Sequence, residues 1–191
     1  KVLLHIAPKP YSIIGCGGSF MKIYFAPLEG ITGYIYRNAY EKVYGGIDKY
    51  FAPFISPSDK CPMTNKGRKD ILPENNSGIN LVPQLLTCKA EHFNEALDEL
   101  KDLGYKEVNL NIGCPSGTVC AKGKGAGFLR DTDALKDFLE DILESVIICL
   151  GDCILCSKPE ILLCIKSICK ASFSKTFDRI IEIVHTLCNT C

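Results

Sequence analysis

The sequence lacks a net charge, a long apolar segment and a secretory leader. Its 22 basic and 22 acidic residues cancel, so no overall positive field attracts nucleic acid and we expect no DNA partner, although a local basic patch remains open. Because no uninterrupted run of about 18 apolar residues occurs, we expect no membrane span. The absence of a basic start, an apolar stretch and a small-residue cleavage site favours a reducing, cytoplasmic location with mostly free thiols.

The chain is also too short for a complete TIM barrel. Its 191 residues can form one domain with a substantial core, whereas a full (β/α)8 barrel needs about 250 residues. The first residue is Lys1, and Met21 stands directly before an apolar segment. We therefore expect residues 1–20 to be a leader or a non-native extension, and residues 21–191 to form one incomplete domain.

Cysteines are concentrated at the end of the chain. Seven of the 12 cysteines lie between Cys149 and Cys191, and we expect residues 145–191 to be a degenerate, cysteine-rich tail. Within it, the spacing of Cys149, Cys153 and Cys156 is the one with which radical-SAM enzymes bind a 4Fe–4S cluster, and the same thiols suit zinc. In a segment this rich in cysteine, chance spacing is the alternative to a metal site.

Strand-like and helix-like periods alternate along the chain. Apolar spacing predicts amphipathic helices at 89–103 and 131–144, and a further helix with Thr32 as its N-cap that ends near Gly45. Strands that alternate with helices indicate an α/β fold with parallel strands, whose carboxyl ends carry the ligand-binding loops. The predicted strands are 22–27, 48–54, 79–85, 106–112 and 161–166, and a last helix is predicted at 177–187.

The most informative segment is 108–115, with the sequence VNLNIGCP. Its apolar and polar residues alternate as in a strand, and Gly113 and Pro115 then end the strand. Asn111 and Cys114 are therefore presented at the carboxyl edge of the sheet, where α/β enzymes carry their chemistry. A cysteine in that place can act as a general acid or a nucleophile. The alternative is a buried structural thiol.

Several segments, taken in order, resemble the tRNA-dihydrouridine synthases. They are 26–32 (APLEGIT) with Arg37, 82–85 (VPQL), 109–115 (NLNIGCP) and 122–125 (KGKG). The likeness extends from Met21 to about Glu144, and the combination of blocks carries it, because the first block alone also occurs in other flavin-dependent barrels. The resemblance implies a partial, truncated TIM (β/α)8-type barrel. It also implies that the enzyme reduces uridine to dihydrouridine in tRNA with FMN and NADPH.

The resemblance implies roles for residues that face the RNA. Reduced FMN delivers a hydride to C6 of the uracil, and Cys114 is the acid that protonates C5. Asn111 hydrogen-bonds the uracil, because an amide offers both a donor and an acceptor. Lys122 and Lys124 meet tRNA phosphates. Arg37 is expected to pack or pair on its helix rather than to contact the substrate.

Other residues would hold the cofactor. The resemblance places the backbone of Pro27 and Leu28 against the flavin ring and Gln84 at the edge of the isoalloxazine. Lys166 adds a positive charge near the pyrimidine side of the flavin, where it stabilises the reduced anion. Leu28 stands where the family usually has methionine, and the later blocks of the family are missing. The alternative function is therefore an inactive, truncated half-barrel.

Overall fold

The strands run parallel and follow the chain order. The computed structural model describes residues 22–151, with side chains up to Ile142. Its strands are β1 (Tyr24–Phe25), β2 (Lys49–Phe51), β3 (Leu81–Val82), β4 (Gln84–Leu85) and β5 (Asn109–Leu110). β2 pairs in parallel with β1 on one side and β3 on the other, and β4 pairs in parallel with β5. The predicted parallel pairing of 79–85 with 106–112 is confirmed.

Pro83 separates β3 from β4, which otherwise form one continuous central strand. Proline has no N–H to give to a neighbouring strand, but the Pro83 carbonyl still accepts the N–H of Asn109 at 2.8 Å. A parallel bridge between Ile55 and Leu85 continues the line of β2 alongside β4. β3 and β4 thus occupy one strand position in the sheet, with β2 on one side and β5 on the other.

Helices connect the strands, as the periodicity predicts. The α-helices are α1 (Tyr34–Val43), α2 (Asn65–Ile71), α3 (Ala90–Asp102), α4 (Gly117–Cys120) and α5 (Thr132–Gly151), and 3-10 turns span Pro73–Asn76 and Gly125–Arg130. The predicted start of α5 is confirmed, because the Asp131 carboxylate accepts the N–H of Ala134 at 3.0 Å. The helix continues to Gly151 rather than ending at 144, since no glycine or proline interrupts residues 145–150.

The prediction that Thr32 caps α1 is wrong. The Thr32 hydroxyl instead closes the preceding turn, where it accepts the Leu28 N–H at 2.7 Å. Gly33 occupies the cap position without a side-chain bond, and Asp70 Oδ1 of α2 accepts the Tyr34 N–H at 2.6 Å. A carboxylate from a later helix thus replaces the local cap, so the N-terminus of α1 is fixed by tertiary contact.

Arg37 has the structural role expected of it. Its side chain is fully buried and forms an ion pair with Asp70 at 3.1 Å. It also donates to the Thr32 carbonyl at 2.8 Å and to Asn76 Oδ1 at 2.9 Å. Burying a guanidinium is costly unless its charge is paired and hydrogen-bonded. Here both terminal nitrogens are bonded and tie α1 to α2 and to the following 3-10 turn, while the buried Nε has no hydrogen-bond partner.

The core lies between the sheet and the inner faces of α3 and α5. The predicted apolar faces of both helices are confirmed. Fully or nearly buried members of the core are Tyr50, Ala52, Leu85, Phe93, Ala96, Leu100, Leu135, Phe138, Leu139 and Ile142. Phe138 contacts Phe93 and Phe128 edge to face, with ring centroids 6.2 and 5.2 Å apart, a favoured aromatic geometry.

A closed barrel is not formed by the described residues. Their sheets are short and open, with β1 at one edge and β5 at the other, so the parallel α/β part of the prediction holds and the barrel itself stays a prediction. No helix between residues 22 and 151 combines the length and the apolar character that crossing a membrane requires. The strand predicted at 161–166 and the helix at 177–187 lie outside the described residues.

Candidate active site

Four of the sequence-predicted site residues lie on loops at the carboxyl edge of the sheet. Parallel strands bring their carboxyl ends to one side, and the loops after β1 and β5 carry Pro27, Leu28, Asn111 and Cys114, while Gln84 lies in β4. Three interstrand steps separate β1 from β5, which is about 14 Å in a flat sheet. Closure of the sheet into a barrel would bring these two loops closer together.

Three amide side chains form a buried chain across β4 and β5. Gln84 is 2% exposed; its Nε2 donates to Asn109 Oδ1 at 2.6 Å, and its Oε1 accepts from Asn111 Nδ2 at 2.9 Å. Buried amides are costly without partners, and here each satisfies its neighbour. Sequence reasoning missed Asn109, although its alternation with Asn111 along the strand, with Leu110 between them, is a usable signal.

Asn111 also shapes the loop that holds the cysteine. Its Oδ1 accepts the N–H groups of Gly113 at 3.1 Å and Cys114 at 3.0 Å. A carbonyl oxygen has two lone pairs, so both acceptor positions of Asn111 are used within the protein. The residue is only 9% exposed, and among the described contacts its amide nitrogen uses one of its two N–H groups, towards Gln84.

Cys114 is half-buried, with a free thiol. Its N–H is held by Asn111, and its carbonyl accepts the Ala126 N–H at 3.0 Å. The Cys120 thiol donates to the same carbonyl at 3.5 Å. The backbone of Cys114 is therefore fixed from both sides, while its side chain stays partly open to solvent.

The glycine-rich segment 122–127 packs directly on the cysteine loop, which is the loop after β5 that carries Cys114. A Cβ atom at Gly125 would lie 2.7 Å from the Cys114 carbonyl oxygen, and one at Gly127 would lie 2.5 Å from that of Cys120. Real Cβ atoms do not approach so closely, and Gly125 also has a φ of 57°, which favours glycine. The segment thus serves as a close backing for the cysteine loop.

The two lysines of this segment are placed differently. Lys122 is exposed. Lys124 is half-buried; its ammonium donates to Ser56 Oγ at 3.0 Å and to the Pro57 carbonyl at 3.3 Å. Burial lowers the pKa of Lys124 from its ordinary value.

The loop after β1 is closed on itself. The Leu28 carbonyl accepts the N–H groups of Ile31 at 3.1 Å and Thr32 at 3.0 Å, and its own N–H is bound by the Thr32 hydroxyl. The Leu28 side chain is 56% exposed, and Pro27 is half-buried. The backbone N–H and carbonyl of Leu28 are thus bonded within the loop, while its apolar side chain is exposed.

An open cleft of about 520 Å³ lies elsewhere, at the start of α3. Its lining residues are Asp59, Lys89, Glu91, His92 and Glu95. His92 Nε2 lies 2.8 Å from Asp59 Oδ1, and hydrogen bonds from His92 and then from Lys89 lower the pKa of Asp59. None of the residues predicted to act in catalysis lines this cleft.

The remaining predicted residues cannot be placed. Lys166, Cys153 and Cys156 lie outside the described residues, and Cys149 is described only as part of the backbone of α5. Among the side chains that the structure describes, from residue 22 to residue 142, no group of three or more histidines, cysteines or acidic residues is arranged to hold a metal ion. The cofactor role of Lys166 and the cluster alternative stay predictions.

Comparison with known proteins assigns the family. The family model described as dihydrouridine synthase (Dus) matches residues 24–149. A probable tRNA-dihydrouridine synthase of Staphylococcus epidermidis is 25% identical over 134 residues, which cover 70% of this chain and 37% of the relative; one of Staphylococcus aureus gives the same values. The tRNA-dihydrouridine synthase B of Pasteurella multocida is 26% identical over 125 residues, covering 65% of this chain and 37% of its own. The chain thus spans just over a third of the length of these relatives, and it belongs to the dihydrouridine synthase family.

Proposed function

We propose that this chain carries the catalytic cysteine of a flavin-dependent enzyme that reduces uridine to dihydrouridine in tRNA, with FMN as cofactor and NADPH as reductant. The observation that carries the proposal is the placement of Cys114. Cys114 is half-buried and follows the carboxyl end of a parallel strand, on a loop whose backbone is fixed by Asn111 and Ala126. The names of the matched relatives supply the reaction and the substrate.

The residues at the strand ends fit a flat ring with polar edges. Leu28 and Pro27 offer apolar surface at the end of β1, which suits the face of an isoalloxazine. Among the described contacts, Gln84 and Asn111 each use only one amide N–H. Asn111 is the more exposed of the two, at 9% against 2%, so we assign the donor to a ligand carbonyl or ring nitrogen to Asn111, with Gln84 behind it. FMN, when bound and reduced, supplies the hydride that C6 of the uracil receives.

Cys114 completes the reduction of the C5–C6 double bond. As the hydride adds to C6, the thiol gives its proton to C5, so the ring gains one hydride and one proton. Because the side chain is half-buried rather than sealed, the resulting thiolate can recover a proton from water. In this proposal the remaining amide N–H of Asn111 donates to a uracil carbonyl and so orients the base above the thiol.

Lys122 supplies the electrostatic contact to RNA in this proposal. It is exposed on the segment that backs the cysteine loop, where a phosphate beside the bound uridine can approach. One lysine contributes modestly, because each neutralised phosphate changes the salt slope of binding by about 0.7 to 0.9. The net charge of zero means that such local contacts have to provide the attraction.

The cofactor is tested by its spectrum. Purified protein reconstituted with FMN should retain a yellow flavin absorbance after gel filtration, and NADPH should bleach it. Broad brown absorbance that is lost in Cys153→Ala would support an iron–sulfur cluster instead. Protein that keeps no chromophore would contradict the proposal and support an inert half-barrel.

The assignment of Cys114 is tested with Cys120→Ala as the matched control. In protein reconstituted with FMN, Cys114→Ala should bind the cofactor and be reduced by NADPH normally, since those steps do not use the thiol. Dihydrouridine formed per enzyme on an unmodified tRNA transcript should fall by about a hundredfold or more, the usual effect of losing a positioned acid. Cys120→Ala should turn over nearly normally. Equal losses in both variants would show that the wrong cysteine was assigned.

A further inference from the structure

Lys124 joins two loops that are not neighbours in the sheet. The lysine follows β5, and its ammonium binds Ser56 and Pro57 in the loop after β2, at 3.0 and 3.3 Å. The central strand formed by β3 and β4 lies between β2 and β5. The contact therefore spans the carboxyl end of a whole strand and connects segments 68 residues apart.

The acceptor side of this contact is rigid. Ser56 Oγ donates to the Leu86 carbonyl at 3.2 Å. The preceding residue, Ile55, is hydrogen-bonded through its N–H to Gln84 O at 2.8 Å and through its carbonyl to the Leu86 N–H at 2.8 Å. Ser56 is thus fixed to the end of β4, so a side chain bound to it is held by the sheet rather than by a mobile loop.

The donor side is continuous with the cysteine loop. The N–H of Lys124 donates to the Val119 carbonyl at 3.2 Å, and the N–H of Ala126, two residues later, donates to the Cys114 carbonyl at 3.0 Å. Gly125, between them, has no room for a side chain against Cys114. A shift of Lys124 therefore has to move the backbone that supports Cys114.

We propose that Lys124 is a positioning residue, which anchors the Cys114 loop to the sheet, and that it is not a phosphate contact. Two of its three N–H donors are already used by protein acceptors, so binding a phosphate with the full ammonium would require these contacts to break. Lys122, two residues earlier and exposed, is left as the phosphate contact. The anchoring role stands without the proposed function, and only the RNA measurement below rests on it.

The reactivity of individual thiols tests the anchor. Full chain carrying Lys124→Met is treated with iodoacetamide, and alkylation of each cysteine is followed by mass spectrometry, with Lys122→Met as the matched control. We expect alkylation of Cys114 to become about tenfold faster in Lys124→Met, the scale of one lost charge-assisted hydrogen bond. Cys61 should react at its original rate in both variants, and Lys124→Arg should restore most of the protection.

The possible results separate an anchor from other roles. If Cys61 and Cys114 accelerate together, Lys124 only stabilises the fold as a whole, and the proposal is overturned. If Cys114 reacts at the wild-type rate in Lys124→Met, the contact with Ser56 does not hold the loop, and the proposal is overturned as well. Selective acceleration of Cys114, reversed by arginine, supports it.

The salt dependence of RNA binding separates the two lysines. Affinity for an unmodified tRNA transcript is measured at several salt concentrations for each variant. Lys122→Met should lower the slope by about 0.7 to 0.9, the value for one phosphate contact, whereas Lys124→Met should leave the slope unchanged. A lowered slope in Lys124→Met would contradict the proposal. If the wild-type chain binds no tRNA, the proposed function fails, and the alkylation result alone decides the role of Lys124.

Discussion

Single buried amides hold the ends of the central strands together. Gln84 lies between two asparagines: it donates a hydrogen bond to Asn109 and accepts one from Asn111. In a buried setting an unmatched amide costs more than a matched pair gains, so these residues act as a unit. The unit also reaches Cys114 through Asn111, which links strand pairing to the geometry of the thiol.

Removing one member of this chain should therefore be costly. Asn109→Ala leaves the Nε2 of Gln84 buried beside its lost acceptor, and we expect the free energy of unfolding to fall by about 1–3 kcal/mol. Urea denaturation followed by circular dichroism measures the change. Asn80→Ala is the control, because Asn80 is exposed and its bond to the Asp48 carbonyl should matter by less than about 0.5 kcal/mol. Equal losses of unfolding free energy in the two variants would show that the buried amide chain stabilises the protein no more than an exposed hydrogen bond does.

At the scale of elements, the segment after β5 is built by close backbone packing. α4 and the 3-10 turn Gly125–Arg130 lie against each other, and glycine allows the approach. Gly127 is the tightest point, with the carbonyl oxygen of Cys120 only 2.5 Å from the position of an added Cβ. Gly117, in α4, has no heavy atom within 4 Å of that position. The two glycines therefore serve different purposes.

Substitution with alanine should separate these two purposes. Gly127→Ala forces the turn away from Cys120, and we expect a loss of about 1–3 kcal/mol in stability, as in other overpacked sites. Gly117→Ala should be neutral or stabilising by up to about 1 kcal/mol, because alanine favours a helix more than glycine does. Thermal unfolding of both variants gives the comparison. A stable Gly127→Ala variant would mean that the backing of the cysteine loop is looser than described.

At the scale of the whole molecule, exposed apolar surface is concentrated around β1 and α1. Every exposed large hydrophobic side chain among residues 22–142 belongs to residues 23–44, and Ile35 is the most exposed at 70%. β1 is also an edge of the sheet. Apolar residues beside an open edge form a surface that favours association, and closing a barrel requires another strand at this place.

This surface can be probed without disturbing the core. Ile35→Lys should leave the free energy of unfolding within about 0.5 kcal/mol of wild type, while lowering the fluorescence of a bound apolar dye and the tendency to self-associate. Leu135→Lys is the contrasting variant, because Leu135 is 1% exposed and a buried lysine should prevent folding. Loss of folding in Ile35→Lys would show that the face around α1 is covered in solution.

The sequence by itself determined the class of fold, the faces of α3 and α5, and the place of Cys114 at a strand end. These follow from apolar periodicity and from the glycine and proline that stop a strand, which are local properties. Only the tertiary structure decided three contacts. Asp70 rather than Thr32 caps the N-terminus of α1, Gln84 hydrogen-bonds Asn109, and the Lys124 ammonium donates to Ser56. Each of these contacts joins residues 25 to 68 positions apart. The physical reason is that a polar side chain takes the partner that packing brings within reach, and a local pattern contains no information about that partner.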